Sequence, residues 1–348
     1  MSPTPSIVSV LLAATVLQIG CGGGRARDVA GERRPGSRGA TTGASDAGAA
    51  VPSVPPPPRA IAQPEARGAK TRVLVHAGAR AVAVDADNLY YGDTEQDAVF
   101  AVPKAGGEPR RLARRAPVAG TFALDQDELA WVATPGDVVL RVNVKTEASS
   151  TLHDKGIFSD VAADRGEFFI TEVFGAGGAI LRATKGTTTK IATLDASPRA
   201  LVVSGDQLFV TTPQKLLRAT RTRGDVETIA TGTGFDSPQA AGDFVYVVAT
   251  EPDGTGRRIA RIPKAGGTLT PLVRDVRDAP MEVAGDEILY FAAGRPQLRA
   301  MALAGGSSRI VAEDEAFSYA AALASDASTV YVATGAGEDG VILAVPRK

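Results

Sequence analysis

AVAVDADNLYYG, at residues 81–92, decides the fold because the chain says it seven times. The other copies read FALDQDELAWVA (122–133), VAADRGEFFITE (161–172), LVVSGDQLFVTT (201–212), AAGDFVYVVAT (240–250), VAGDEILYFAAG (283–294) and ALASDASTVYVATG (322–335). Each is a short apolar run, an aspartate, a few polar residues, then an aliphatic and aromatic run. The aligned acids are Asp85, Asp125, Asp164, Asp206, Asp243, Asp286 and Asp326, spaced by 40, 39, 42, 37, 43 and 40 residues. A unit of that length made of short strands cannot bury both its faces alone, so it must stack on copies of itself. The period therefore predicts an all-β fold, a seven-bladed β-propeller of four-stranded blades.

Each period supplies its strands in order. In the first, AVAV enters, NLYYG returns after a tight polar turn, AVFAVPKAGG is the third strand with its exit turn, and EPRRLA is the fourth. PKAGG at 103–107 recurs at 263–267, where proline sets a bend and the glycine pair permits positive φ between third and fourth strands. The seventh copy stops after a third strand, GVILAVPRK. TRVLVH at 71–76 has the length and composition of the missing fourth strand, so the ring is predicted to close by this N-terminal strand completing the last blade.

Ahead of the propeller (71–348), two segments differ in kind. Residues 1–20, MSPTPSIVSVLLAATVLQIG, carry an apolar stretch too short for a membrane span and ending just before Cys21. This resembles the leader of a bacterial lipoprotein with Cys21 as the acylated residue, palmitate among its acyl chains. The resemblance implies a lipid-anchored protein of the cell envelope, sorted to the outer membrane because Gly22 rather than Asp follows the cysteine. Two residues depart from that pattern: the leader lacks Lys and Arg before its apolar run, and Gln18 stands where an aliphatic residue is usual. The alternative is an ordinary cleaved leader, giving a secreted or periplasmic protein. Cys21 is the only cysteine, which excludes a disulfide within the chain. Residues 21–70 are rich in Gly, Ala, Pro and Arg, lack aromatics, and read as a disordered tether.

Charge and composition narrow the function by exclusion. With 38 basic and 39 acidic residues the net charge is −1, which gives no overall pull toward nucleic acid. Only His76 and His153 exist, 77 residues apart, so a conventional zinc cluster is not expected, nor any cofactor. No GxSxG elbow, phosphate-binding glycine loop or HExxH occurs. The seven aspartates fall where the first strand turns into the second, a place for a side chain that accepts bonds from amides two residues on. The loop acids Asp93, Glu95, Asp97, Asp253, Glu338 and Asp339 read as a solvated face, and the second-strand aromatics, Trp131 among them, as core.

Binding residues are expected where the copies disagree. The connections between second and third strands, and between one blade and the next, share one face of such a ring. Near the channel mouth on that face the candidates are Phe158, Asp160, Arg199, Phe235, Gln239, Glu282, Phe317 and Tyr319, a mixture of aromatic surface and charge. The competing reading makes Phe158, Phe235 and Phe317 wedges between blades.

The repeated apolar-Asp-xxx-(L/V/I)-(Y/F/W) phrase over 71–348, followed twice by a VPKAGG or IPKAGG strand end, resembles the bacterial TolB-like, YWTD and NHL propeller group, many of them lipoproteins. That resemblance implies chiefly protein or ligand binding, with a minority of lyases and hydrolases whose histidines have no counterpart here. The expectation is a non-enzymatic, monomeric envelope lipoprotein whose loop face binds a protein or cell-wall component. The alternatives are a metal-dependent lyase or lactonase-like hydrolase, with Glu282 or Asp160 as ligand, and a purely structural envelope protein.

Overall fold

A computed structural model describes residues 65–67, 71–184, 186–222, 224–335, 337 and 339–348. Residues 1–64, with the leader, Cys21 and nearly all of the tether, lie outside the described residues, as does Glu338. Seven antiparallel sheets form the predicted seven-bladed propeller. Blade 1 comprises Ala79–Val84, Asn88–Asp93, Ala98–Pro103 and Arg110–Ala113, and blades 2 to 6 repeat the four-strand meander up to Arg309–Glu313.

Blade 7 contains Ala320–Ser325, Thr329–Thr334 and Val341–Pro346, and Thr71–His76 pairs with the last of these, Val73 lying opposite Leu343. The N-terminal strand thus closes the ring as the sequence predicts. Glu65–Arg67 then pairs with Thr71–His76, a fifth strand that the sequence did not suggest.

The core lies between blades because successive strand residues point to opposite sheet faces. Tyr90 and Tyr91 show this directly. Tyr90 packs toward blade 2 with Phe122, Leu129 and Trp131, while Tyr91 packs toward blade 7 with Phe100, Ala322 and Tyr331. Trp131 is fully buried and meets Phe122 edge to face at 6.0 Å. Phe158, Phe235 and Phe317 are buried in the cores between blades 2 and 3, 4 and 5, and 6 and 7 respectively, the wedge position.

The repeated aspartates divide by what they hold. Asp85 Oδ1 accepts from the amides of Asp87 and Asn88 at 2.8 and 2.6 Å, and Oδ2 accepts from the Tyr90 hydroxyl. Asp326 does the same with Ser328, Thr329 and Tyr331. Asp125 and Asp164 instead reach other blades, accepting from the Gly166 amide and the Arg221 guanidinium. The expected amide-capping turn is therefore seen at Asp85 and Asp326, where a tyrosine five residues on completes it.

The glycine pairs have the predicted left-handed backbone, with Gly106 and Gly107 at φ 96° and 130° and Gly266 and Gly267 at 89° and 132°. The turns they form put the next basic side chain to structural use. Among the described residues, the one just after the third strand donates its amide to its own first turn and, where basic, reaches the preceding blade. Lys104 Nζ donates to Asp85 O at 2.9 Å and to Asp326 of blade 7 at 2.8 Å. Arg221 reaches Asp164 and Glu167 of blade 3 while its guanidinium lies over Phe169. Lys264 reaches Ser204 of blade 4, and Arg347 reaches Ala284 O of blade 6. In blades 2 and 6 the position holds Val144 and Leu303, and the tie reverses: their carbonyls accept from Arg110 of blade 1 and Arg261 of blade 5.

Candidate functional site

The antiparallel meander gives the ring two unlike ends. First-to-second and third-to-fourth turns leave at one, the turn end. Second-to-third connections and the links between blades leave at the other, the loop end. The eight residues expected around the loop-end mouth do not form one cluster. Arg199 and Tyr319 are exposed there, Tyr319 at 64%. The three phenylalanines are inside the blade interfaces. Asp160, Gln239 and Glu282 are buried on the innermost strands.

Asp160 lies opposite Thr171 and is buried. Its carboxyl accepts from Thr121 Oγ1 of blade 2 and, at 2.8 Å, from the Leu201 amide of blade 4, so one side chain of blade 3 ties three blades. The Leu201 amide needs such a partner because the channel-facing side of an innermost strand has no neighbouring strand. Burial pushes the Asp160 carboxyl up to about 7, against the lowering influence of those hydrogen bonds.

Glu282 is placed at the turn end. The innermost strand of blade 6 is only Glu282–Ala284, and Glu282 lies opposite Leu289. Ala83 opposite Tyr90, Ala123 opposite Ala130 and Ala324 opposite Tyr331 hold the same register position in blades 1, 2 and 7, one residue further from the turn than Val84, Leu124 and Ser325. Glu282 therefore lies one residue further from the turn than those side chains and points toward blade 7. Its Oε1 accepts from both the amide and the hydroxyl of Ser325, at 3.0 and 2.9 Å. Its Oε2 is buried without a hydrogen-bond partner, and burial raises the carboxyl to about 7. Gln239 Nε2, on blade 5, is likewise buried and unpartnered.

A funnel of about 1240 Å³ opens at this end across blades 6, 7, 1 and 2. Val84, Leu124, Ala284, Ile310 and Ala327 supply apolar wall, and Ser325 lines it beside them. Three of the cations that line it are engaged by the fold: Lys104 with Asp326, Arg309 with Glu287 at 2.9 Å, and Arg347 with the carbonyls of Asp326 and Ala284. Asp326 is drawn down to about 2, burial being outweighed by Lys104 and the turn donors.

The sequence reading missed this end altogether. Its signal was present in the PKAGG lysine and in the Asp-to-Tyr spacing, but both read as turn chemistry and give no direction in space. Two loop-end residues were also passed over. Ile157 and Phe174 are 61% and 46% exposed, and the Val173 amide donates to the Ile157 carbonyl at 2.7 Å, which puts both at the loop end of blade 3. Asp93, expected to be solvated, is buried and accepts from the amides of Glu95 and Gln96. Among the described residues, no group of three or more His, Cys, Asp or Glu is gathered so as to hold a metal ion. None of their helices is long and apolar enough to cross a membrane.

No protein-family model and no curated protein matches this sequence. Solved structures do. An oligogalacturonate lyase in complex with manganese superposes with a TM-score of 0.63 at 11% identity, covering 84% of this chain and 97% of that one. The WD40 propeller domain of Doa1 gives 0.57 at 13% identity, with 82% and 97% covered. PorZ, a bacterial surface component of the type-IX secretion system of Porphyromonas gingivalis, gives 0.55 at 10% identity, with 79% of this chain and 38% of that one covered. These likenesses are to the seven-bladed propeller fold and scatter over unrelated activities, so they identify no one family.

Proposed function

We propose that this protein is a non-catalytic binding propeller of the cell envelope, anchored through lipid on Cys21 at the outer membrane, whose loop end takes a protein or envelope component. The observation that carries this reading is the exposure of apolar side chains there. Of the four large hydrophobic residues exposed among the described ones, Ile157, Phe174 and Tyr319 are at the loop end. Ile157 and Phe174 belong to blade 3, where the four-stranded sheet beneath holds them in place. Apolar anchors on a preorganised surface are what a recognition face needs, because their burial by a partner costs little ordering. Arg199 adds a charge at the same end.

The test is in-cell crosslinking of the tagged protein, wild type against an Ile157→Ser, Phe174→Ser and Tyr319→Ser triple variant. A partner captured by the first and lost by the second, with the variant folded, supports the reading. An identical set from both overturns it. The anchor is tested separately: Cys21→Ser is expected to move the protein from the membrane to the soluble fraction and to abolish labelling by an alkyne fatty acid.

A further inference from the structure

We propose that a cleft between blades 1 and 2 binds the phosphate group of a small phosphomonoester, held by Arg114 and Arg115. It uses none of Ile157, Phe174 and Tyr319, so it stands or falls independently of the loop-end reading.

The segment RRLARR, at residues 110–115, carries four arginines with two fates. Arg110 pairs with Glu147, while Arg111 donates to Gln96 Oε1 at 3.1 Å and lies over the Phe100 ring. Arg114 and Arg115 are exposed, and among the described residues neither side chain has a hydrogen-bond or ion-pair partner. Their backbone is nonetheless fixed. Ala113 and Ala116 on either side are buried, and the Ala116 amide donates to the Asp97 carbonyl at 2.6 Å. Arg115 is held at φ 49°, a left-handed conformation that an arginine seldom adopts.

Both arginines line a cleft of about 290 Å³ whose other wall is blade 2. Trp131, Leu140 and Thr151 lie opposite one another in successive strands of that blade, so their side chains share the face turned toward blade 1. Ser149, two residues before Thr151 on the outermost strand, shares that face and also lines the cleft. A third arginine, Arg141, borders it and donates to Ser150 at 3.0 Å. No aspartate or glutamate is among the lining residues, although the chain as a whole carries a net charge of −1. Trp131 Nε1 is buried with no hydrogen-bond partner, and an unanswered donor favours negative charge nearby.

A phosphomonoester matches this wall in charge and in donors. Near neutral pH it carries close to two negative charges on three acceptor oxygens, against two guanidinium groups that nothing in the fold neutralises. The hydroxyls of Ser149 and Thr151 supply further donors. A sulfate ester has the same shape with one charge fewer, which makes it the discriminating control. The remaining space, against Leu140 and Trp131, admits a small organic body.

Calorimetric titration of the purified protein at pH 7.5 and low salt with phenyl phosphate, phenyl sulfate and phenol tests this. Phenyl phosphate is expected to saturate one site per chain at least fivefold more tightly than phenyl sulfate, phenol not to saturate, and inorganic phosphate to displace phenyl phosphate. Trp131 is the only tryptophan, so its fluorescence should change along the same isotherm. Arg114→Gln with Arg115→Asn, the asparagine chosen because it tolerates the left-handed backbone, should weaken phenyl phosphate at least tenfold. Arg110→Gln, which removes an arginine already paired to Glu147, should leave it within about twofold. The Ile157→Ser, Phe174→Ser and Tyr319→Ser variant should bind it unchanged. Absence of saturable binding, equal binding of phenyl sulfate or phenol, failure of inorganic phosphate to compete, or an unchanged affinity in the folded double variant overturns the proposal. If the double variant does not fold, the order of the probes on the wild type decides.

Discussion

The two ends of the propeller are built from the same seven repeats and solve different problems. At the turn end, the side chain after each third strand carries a tie to the preceding blade in blades 1, 4, 5 and 7. In blades 2 and 6 the preceding blade's arginine makes the tie instead. At the loop end, Ile157, Phe174 and Tyr319 stand in solvent. What the repeat holds constant is the end that keeps blades in register. What it leaves free is the end that offers surface.

The comparison breaks most readily at Asp160, which lies between the two ends. Its carboxyl is raised from 3.8 to about 7, so the folded state binds more protons than the unfolded state between those values. Stability therefore falls as pH rises through that window, by up to about 4 kcal/mol, and changes no further above it. Asp160→Asn retains an acceptor for the Leu201 amide and removes the titration. Urea unfolding from pH 4 to 8 should slope downward for the wild type and run flatter for the variant; parallel curves would contradict the assignment.

Arg221→Met tests the turn-end ties directly. It leaves Asp164 and Glu167 without their shared cation and strips the Phe169 face, at a cost of about 3 kcal/mol in chemical denaturation. Lys104→Met is milder, about 1 kcal/mol, because its pair with Asp326 is partly exposed. It also lets the Asp326 carboxyl rise from about 2 toward its ordinary value. The stability that depressed carboxyl supplies is present above the unfolded value of 3.8 and is lost as pH falls through about 2, so the variant should have less of it to lose on acidification. The smallest effect on folding is expected at the loop end, where Ile157→Ser with Phe174→Ser should change stability by less than about 0.5 kcal/mol while removing the crosslinked partner. A large loss of stability there would mean that these side chains serve the fold, and the contrast between ends would fail.

The architecture was legible because it depends on period alone. Seven aspartates at near-even spacing fix the blade count, and an unpaired third strand at residues 341–346 requires TRVLVH to close the ring. Tyr90 and Tyr91 could be assigned to the core for the same reason, though not to different blade interfaces. The site was much less legible, because it depends on register. Sequence position put Glu282 among residues entering an innermost strand, as Asp160 does. Only the pairing of Glu282 with Leu289 shows that the strand is three residues long and that its first residue lies nearer the turn than Asp160 does in blade 3. Phe158, Phe235 and Phe317 precede innermost strands just as Tyr319 does, and nothing in their spacing distinguishes a wedge from an exposed anchor. Burial separates them, and burial is a property of neighbouring blades.

The closing strand has a mechanical meaning. Thr71–His76 is the last piece of the ring, and it follows directly on Glu65–Arg67, the first described strand after the segment that leads toward Cys21. Tension drawn along that segment enters the molecule at its clasp, through Glu65–Arg67 laid on Thr71–His76 and then through the pairing of Val73 with Leu343. A pull that peeled this strand away would open the circle at blade 7 and leave Val341–Pro346 as a bare edge, with blades 1 to 6 still folded behind it.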